Sequence, residues 1–158
     1  MGFRCRLVGA LALSGLVSVA AGAAAGASEA DWPQFGGPTR DFVASALTPA
    51  AWSEDGPRVV WRRPLGEGYS SVAVVDGTLY TMLRDEGHEV VMALAAESGE
   101  TLWARSYDAP IPEYLELDYG PGPHATPLVL EDRLFTAGMR GTLLALDRDN
   151  GEILWRRE

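Results

Sequence analysis

Four side chains that could carry acid–base or metal chemistry lie close together in one segment of the sequence. They are Glu113, Glu116, Asp118 and His124. Carboxylate oxygens are ligands that Ca²⁺ prefers, and a carboxylate near an imidazole can act as an acid–base pair. A solvated acidic connector has the same composition, and this interpretation is favoured over a metal site. Because His124 precedes a predicted strand, a ligand contact by its side chain is a second hypothesis.

Other candidate sites fail on spacing or on context. His88 stands beside Glu86 and Glu89 and is interpreted as a surface histidine of a hairpin. Residues 147–152 resemble a calcium loop, but a glycine stands where a ligand is needed. Residues 120–123 lack the strand-then-helix context of a phosphate-binding loop. No residue is therefore predicted to be catalytic or to bind a metal ion.

The elements that must position these residues are revealed by an internal repeat. Residues 91–105 align with residues 143–157, roughly 50 residues further along the chain, and the segments before them align as well. Each copy predicts four short strands, because runs of Val, Leu, Tyr and Thr alternate with glycine-bearing turns. The predicted strands cover 71–75, 78–83, 89–95 and 101–106 in the first copy, and 125–130, 133–138, 142–147 and 152–157 in the second.

This repeat predicts an all-β fold, a partial β-propeller of two four-stranded antiparallel blades. A sandwich of eight strands is the alternative, but it gives no reason for the sequence to repeat. Trp61 matches the end of the repeated motif alone, so its segment is predicted to be an N-terminal strand that closes the ring by pairing with the last blade. The repeated positions are Ala93, Gly99 and Trp103, then Ala145, Asp147, Gly151 and Trp155.

The repeated motif closely resembles the tryptophan-docking motif of the PQQ-type (quinoprotein) β-propeller repeat family. Residues 31–41 and 65–71 are similar to segments that precede the first blade in exported proteins like the outer-membrane assembly factor BamB. The resemblance implies that each tryptophan lies flat against alanine and glycine and fills the wedge between blades. Replacing Trp103 or Trp155 by alanine is accordingly expected to destabilise the protein by about 3–5 kcal/mol.

The chain is predicted to have three parts. Residues 1–27 are interpreted as a secretory signal, because Arg4 and Arg6 precede an apolar run that ends in small residues. An uncleaved membrane anchor is disfavoured, since the second half of that run is Ala and Gly. Residues 28–60 form an N-terminal lead-in segment, and residues 61–158 form the repeats. The protein is therefore expected to be exported, to the periplasm or the extracellular space, without a membrane span after cleavage.

The composition excludes several classes of function. The formal net charge of −9 argues against a nucleic-acid or anionic-membrane surface. One cysteine, placed in the signal, excludes a disulfide framework. The favoured function is a non-catalytic scaffold without a cofactor whose partners are other proteins. The alternative is a fragment of a PQQ-dependent dehydrogenase, which would hold PQQ with calcium.

Two blades do not complete a propeller, since known propellers typically have about 4–8. The sequence is therefore expected to be the N-terminal part of a longer protein. Self-association that closes a ring between chains is the alternative.

Overall fold

Short β-branched and aromatic runs between glycine-bearing turns form eight strands in the computed structural model of this protein. The structure describes residues 31–44, 52–112 and 117–158, and this part of the chain contains no helix. The predicted signal at 1–27 lies outside the described residues. The strands are β1 (Ala73–Val75), β2 (Thr78–Asp85), β3 (His88–Ala95), β4 (Thr101–Asp108), β5 (Leu128–Leu130), β6 (Arg133–Ala137), β7 (Leu143–Asp147) and β8 (Ile153–Arg157).

The strands form two antiparallel four-stranded sheets, each in the order of the sequence, β1-β2-β3-β4 and β5-β6-β7-β8. The predicted all-β class and the predicted strand number are confirmed. Strand β5 begins at Leu128, later than predicted, and Pro127 before it has no N–H to give to a ladder. The longer hairpin of the first copy is built as extra strand, since β2 and β3 have 8 residues each and β6 and β7 have 5.

Both sheets share one irregularity near their last turn. The register between the third and fourth strands shifts at Ala93/Leu94 in the first sheet and at Ala145/Leu146 in the second. The turns that follow contain Gly99 (φ 72°) and Gly151 (φ 71°), in the left-handed region that glycine enters without steric cost. The repeated sequence therefore produces the same local backbone twice.

The core lies between the two sheets, which pack face to face. The first sheet contributes a row of paired residues, Ala73, Tyr80, Ala93 and Trp103, together with Met82 and Val91. The second sheet contributes Val129, Leu134, Leu144 and Leu146, which lie on the face opposite to the one that carries Ala145 and Trp155. Leu134, Leu144 and Leu146 are fully buried. Burial of this apolar surface is the main stabilising term of the pair of sheets.

The lead-in segment joins the innermost strands of the two sheets. The backbone of Trp32 exchanges two hydrogen bonds with Val74 of β1, at 2.7 and 2.9 Å. The carbonyl of Pro33 accepts a hydrogen bond of 2.8 Å from the N–H of Val129 in β5. One short stretch of chain therefore ties both sheets together at their inner edges.

Candidate functional site

The clearest repeated site in the structure is the contact of Trp103 with the turn that contains Gly151. A Cβ atom added to Gly151 would come within 2.7 Å of Cδ2 of the Trp103 indole, so only glycine leaves room for the ring. The indole Nε1–H donates a hydrogen bond of 2.9 Å to the carbonyl oxygen of Arg148 in the same turn. Trp103 is buried. The ring of the first sheet therefore fills the space above the second sheet's last turn.

Trp61 makes the matching contact one copy earlier. A Cβ atom on Gly99 would come within 2.7 Å of Cε3 of Trp61. The Trp61 indole donates a hydrogen bond of 2.8 Å to the carbonyl of Ala96. Residues 57–66 around it form no strand. The predicted pairing of this segment with a last blade stays a prediction, and the structure places its tryptophan on the first sheet.

An arginine two residues after each of these tryptophans holds the same turn. Arg63 donates a hydrogen bond of 2.8 Å from Nη1 to the carbonyl of Gly99. Arg105 donates one of 2.9 Å from Nη2 to the carbonyl of Asn150. The sequence analysis did not include these arginines, although a Trp-x-Arg pattern recurs at 61–63, 103–105 and 155–157 and could have revealed them.

The other repeated residues lie close to these contacts. Ala93 and Ala145 are fully buried, and they pair with Trp103 and Trp155 across the neighbouring strands. The carboxylate of Asp147 accepts hydrogen bonds from the N–H groups of Asp149 and Asn150, at 3.0 and 3.1 Å. Asp147 therefore caps its turn, as short carboxylates commonly do. The first copy has Ala95 at that position.

Trp155 differs from Trp103 in its surroundings. Its ring lies 6.2 Å from the ring of Phe135, as the Trp103 ring lies 6.2 Å from that of Tyr80. Trp155 is nevertheless 40% exposed, against 8% for Trp103. In the described residues no further turn covers it. The loss of about 3–5 kcal/mol stays the prediction for Trp103, and the greater exposure of Trp155 leads us to expect a smaller loss there.

A buried carboxylate forms a second tie between the sheets. Glu89, on β3, is 1% exposed and is not a solvated hairpin acid. Its Oε2 accepts a hydrogen bond of 2.5 Å from the hydroxyl of Tyr107, and its Oε1 accepts one of 2.8 Å from the N–H of Met139. The missing side chain of Gly138 makes room for the pair, since a Cβ there would lie 2.6 Å from the Tyr107 oxygen.

This environment changes the acidity of Tyr107. Burial, and then the hydrogen bond to the Glu89 carboxylate, raises the pKa of Tyr107 well above its usual range. An unfolded tyrosine ionises near pH 10. Because the folded state keeps the proton, the stability that Tyr107 contributes is present below about pH 10 and is lost as the pH rises above it.

Tyr107→Phe tests this tie. The change leaves one oxygen of a buried carboxylate without a donor, so we expect a loss of about 1.5–3 kcal/mol in the free energy of unfolding at pH 7. Above about pH 10 the wild type should lose stability more steeply than the variant. Denaturant unfolding of the wild type and the variant, at pH 7 and at several pH values above 10, measures how steeply the free energy of unfolding of each protein falls with pH. Burial also raises the pKa of Tyr80, but that residue is present in both proteins. Parallel pH profiles would contradict the assignment.

The acidic segment singled out from the sequence is described only in part, since Glu113 and Glu116 lie outside the described residues. His124 contacts the rings of Tyr69 and Tyr119, with centroid distances of 5.2 and 6.5 Å. Asp118 lines a cavity together with His124. A ligand contact by His124 stays a prediction.

His88 lies in the β2–β3 hairpin with a partner of its own. Its Nε2 is 3.1 Å from the carboxylate of Asp108, and both side chains are exposed. Over 31–44, 52–112 and 117–158, no three His, Cys, Asp or Glu side chains come together as a metal site would require. In the same ranges no helix has the length and hydropathy to cross a membrane.

The two sheets, stacked face to face with a tryptophan of one copy over a glycine turn of the next, define a β-propeller repeat protein. The sequence model of the family described as "Outer membrane protein assembly factor BamB" matches residues 50–158. The chain belongs to that family. The resemblance to BamB-like, PQQ-type repeats predicted from the sequence is confirmed. No match was found among curated proteins.

Two solved structures are similar to part of the chain. One is a europium-containing methanol dehydrogenase, with a TM-score of 0.47, 19% identity, and coverage of 65% of this chain and 19% of that one. The other is BamB from Moraxella catarrhalis, with a TM-score of 0.34, 21% identity, and coverage of 60% of this chain and 36% of that one. The chain thus spans about a fifth and about a third of their lengths.

Proposed function

We propose that this protein is an exported, non-catalytic scaffold that holds other proteins through the surfaces of its blades. The family description, an assembly factor for outer membrane proteins, supports this function. The repeated tryptophans, alanines and glycines support it as well, because their contacts are internal packing contacts. Architecture of this kind leaves function to the exposed strands and loops.

The observation that carries the proposal is the surface of the outermost strands. Leu102 on β4 and Leu154 on β8 occupy matching positions and are 55% and 46% exposed. Each of these strands pairs on one side only within the described residues, so each presents an open edge. An open edge beside exposed apolar side chains is a typical surface for another protein, which can add a strand or cover the apolar groups.

The test is cross-linking in intact cells followed by purification of the tagged protein. The wild type is expected to retain outer-membrane assembly proteins, and Leu102→Arg combined with Leu154→Arg is expected to lose most of them. Thr101→Arg, on the same exposed strand, is the matched control for added charge. Retention of the same partners by the double variant would contradict the proposed surface.

A second assay separates the scaffold from the dehydrogenase alternative. The purified protein is mixed with PQQ, Ca²⁺ and a redox dye, and a panel of alcohols is offered as substrate. A scaffold gives no dye reduction above the rate without protein. Dye reduction that depends on both the protein and PQQ would overturn the non-catalytic proposal.

Removal of the predicted signal is checked separately by N-terminal sequencing of the protein from its native cells.

A further inference from the structure

A cavity of about 430 Å³ lies beside the connecting segment, the stretch of chain between β4 and β5. Its walls include Asp118, Tyr119, His124 and Met139. This volume is in the usual range of small-molecule sites, about 300–1,000 Å³.

Two aromatic rings on the wall, Tyr119 and His124, form a cluster with the ring of Tyr69, and the three rings meet at steep angles. The ring centroids of Tyr69 and Tyr119 are 6.5 Å apart at 81°, those of Tyr69 and His124 are 5.2 Å apart at 60°, and those of Tyr119 and His124 are 6.5 Å apart at 74°. Tyr69 and Tyr119 are 59% and 70% exposed, so packing against other protein groups uses only part of each ring.

The repeat explains why two of these rings are neighbours. Tyr69 and His124 each precede the innermost strand of their copy, at matching positions of the alignment. The N–H of Tyr69 donates a hydrogen bond of 2.9 Å to the carbonyl of Pro123, which fixes the two segments side by side. Tyr119 comes from the connecting segment between the sheets and supplies the third ring.

Three rings in this arrangement suit a compact organic cation. The negative face of an aromatic ring attracts a cation placed within about 6 Å of its centroid. Because the three centroids are mutually 5.2 to 6.5 Å apart, one cation above them comes within that range of all three. Rings at steep angles present their faces in different directions, which suits a compact cation better than a flat aromatic ligand.

The charges around the cavity favour the same ligand. The Asp118 carboxylate lies on the wall, and the formal net charge of the chain is −9. No arginine is among the wall residues of the described chain. Arg140 follows the wall residue Met139, and its Nη1 is engaged in a hydrogen bond of 2.8 Å with the carbonyl of Pro110. A positive ligand is attracted here by both the local and the overall charge.

The part of the cavity wall that the second sheet provides is held in place by a hydrogen bond to the first sheet. Gly138 and Met139 line the cavity, and the buried Glu89 carboxylate accepts the Met139 N–H. Glu89 is therefore a positioning residue for this wall. A site whose wall is fixed before binding loses less conformational entropy when the ligand enters.

We propose that the cavity lined by Asp118, Tyr119 and His124, whose two rings cluster with Tyr69, binds a small organic monocation of the quaternary ammonium class. This site is separate from the surfaces of the outer strands and does not depend on the scaffold proposal. The cluster of Tyr69, Tyr119 and His124 provides the aromatic rings, and Asp118 provides the opposite charge.

Calorimetric titration with choline tests the proposal, and the tert-butyl analogue of choline, which has the same shape without the charge, is the paired probe. We expect choline to bind and the analogue to bind at least about tenfold more weakly. Tyr119→Ala is expected to weaken choline binding by about tenfold, Tyr119→Phe by much less, and Asp118→Asn by several-fold. Trp52→Ala, at an aromatic residue that is 72% exposed and outside the cavity wall, is the control and should bind like the wild type.

Three results would overturn the proposal. They are no detectable choline binding at millimolar concentration, equal binding of choline and its uncharged analogue, and unchanged choline binding by Tyr119→Ala. Thermal melting of each variant is measured in parallel. Because Tyr119 is exposed, its variants are expected to melt like the wild type, so that a loss of binding reports on the site.

Discussion

Trp103→Ala is expected to lower the free energy of unfolding by about 3–5 kcal/mol. The indole is 8% exposed and lies between the two sheets, so its removal leaves a cavity in the core that neither sheet can close alone. It also removes the shorter of the two hydrogen bonds to the Arg148 carbonyl, 2.9 Å from the indole against 3.4 Å from the Tyr80 hydroxyl. Both losses act at the interface of the sheets, and we expect the variant to unfold at a much lower denaturant concentration.

Trp155→Ala is the matched control, because it makes the same chemical change at the same position of the repeat. With its ring 40% exposed, the substitution leaves no enclosed cavity, and a loss of about 1–2 kcal/mol is expected. Urea unfolding of the purified chain, followed by tryptophan fluorescence and circular dichroism, measures both variants. Equal losses at the two positions would show that burial between the sheets does not determine the stability contributed by this tryptophan.

The comparison has a second use if a further blade follows the second sheet. In that setting a glycine turn would cover Trp155 as Gly151 covers Trp103, and the loss at Trp155 would rise toward the loss at Trp103. The difference between the two variants is therefore a measure of how completely the last sheet is covered. Leu130 and Leu143 lie on the same face of the second sheet as Trp155 and are exposed as well.

The sequence predicted the sheets well because each strand is bounded by a turn with its own chemical signal. The turns at Asp76-Gly77 and Asn150-Gly151 require positive φ, and glycine provides it. The repeat added the information that local propensity lacks, since two matching copies must adopt matching backbones. For that reason the predicted strand ends in both copies lie within a few residues of the observed ones.

The contacts between the copies could not be predicted in the same way. Glu89 follows the hairpin in sequence, and a carboxylate at that position is normally solvated, yet the second sheet covers it and supplies the Met139 N–H. Its partner Tyr107 extends β4 beyond the predicted strand end. Nothing in the first copy alone indicates that Gly138 leaves space for both, because that space exists only after the sheets are stacked.

The aromatic cluster shows a similar division between what sequence can and cannot predict. His124 was predicted to lie before a strand, where a ligand contact is feasible. Its proximity to Tyr69 follows from the stacking of two copies, and the approach of Tyr119 follows from the path of an irregular connection. Loop paths of this kind depend on proline and glycine geometry in three dimensions, and no periodicity in the sequence encodes them.

Gly151→Ala is expected to be as damaging as the loss of the tryptophan, with a reduction of about 2–5 kcal/mol in the free energy of unfolding. Two effects combine at this position. The φ of 71° costs an alanine about 1–2 kcal/mol, and the new methyl group would overlap the Trp103 indole, whose Cδ2 would lie only 2.7 Å away. The ring would have to leave its place between the sheets.

Gly141→Ala separates these two effects. Gly141 has a φ of 89° and no heavy atom within 4 Å of an added Cβ, so this variant carries the conformational cost alone, about 1–2 kcal/mol. Any larger loss in Gly151→Ala reports the overlap with the indole.

The double variant Gly151→Ala with Trp103→Ala completes a cycle in which the overlap is absent. We expect its loss to be clearly smaller than the sum of the two single losses, since the methyl group then occupies space that the indole has vacated. Additive losses would mean that Trp103 and Gly151 act independently, and the interpretation of the repeated motif as one packing unit would be wrong.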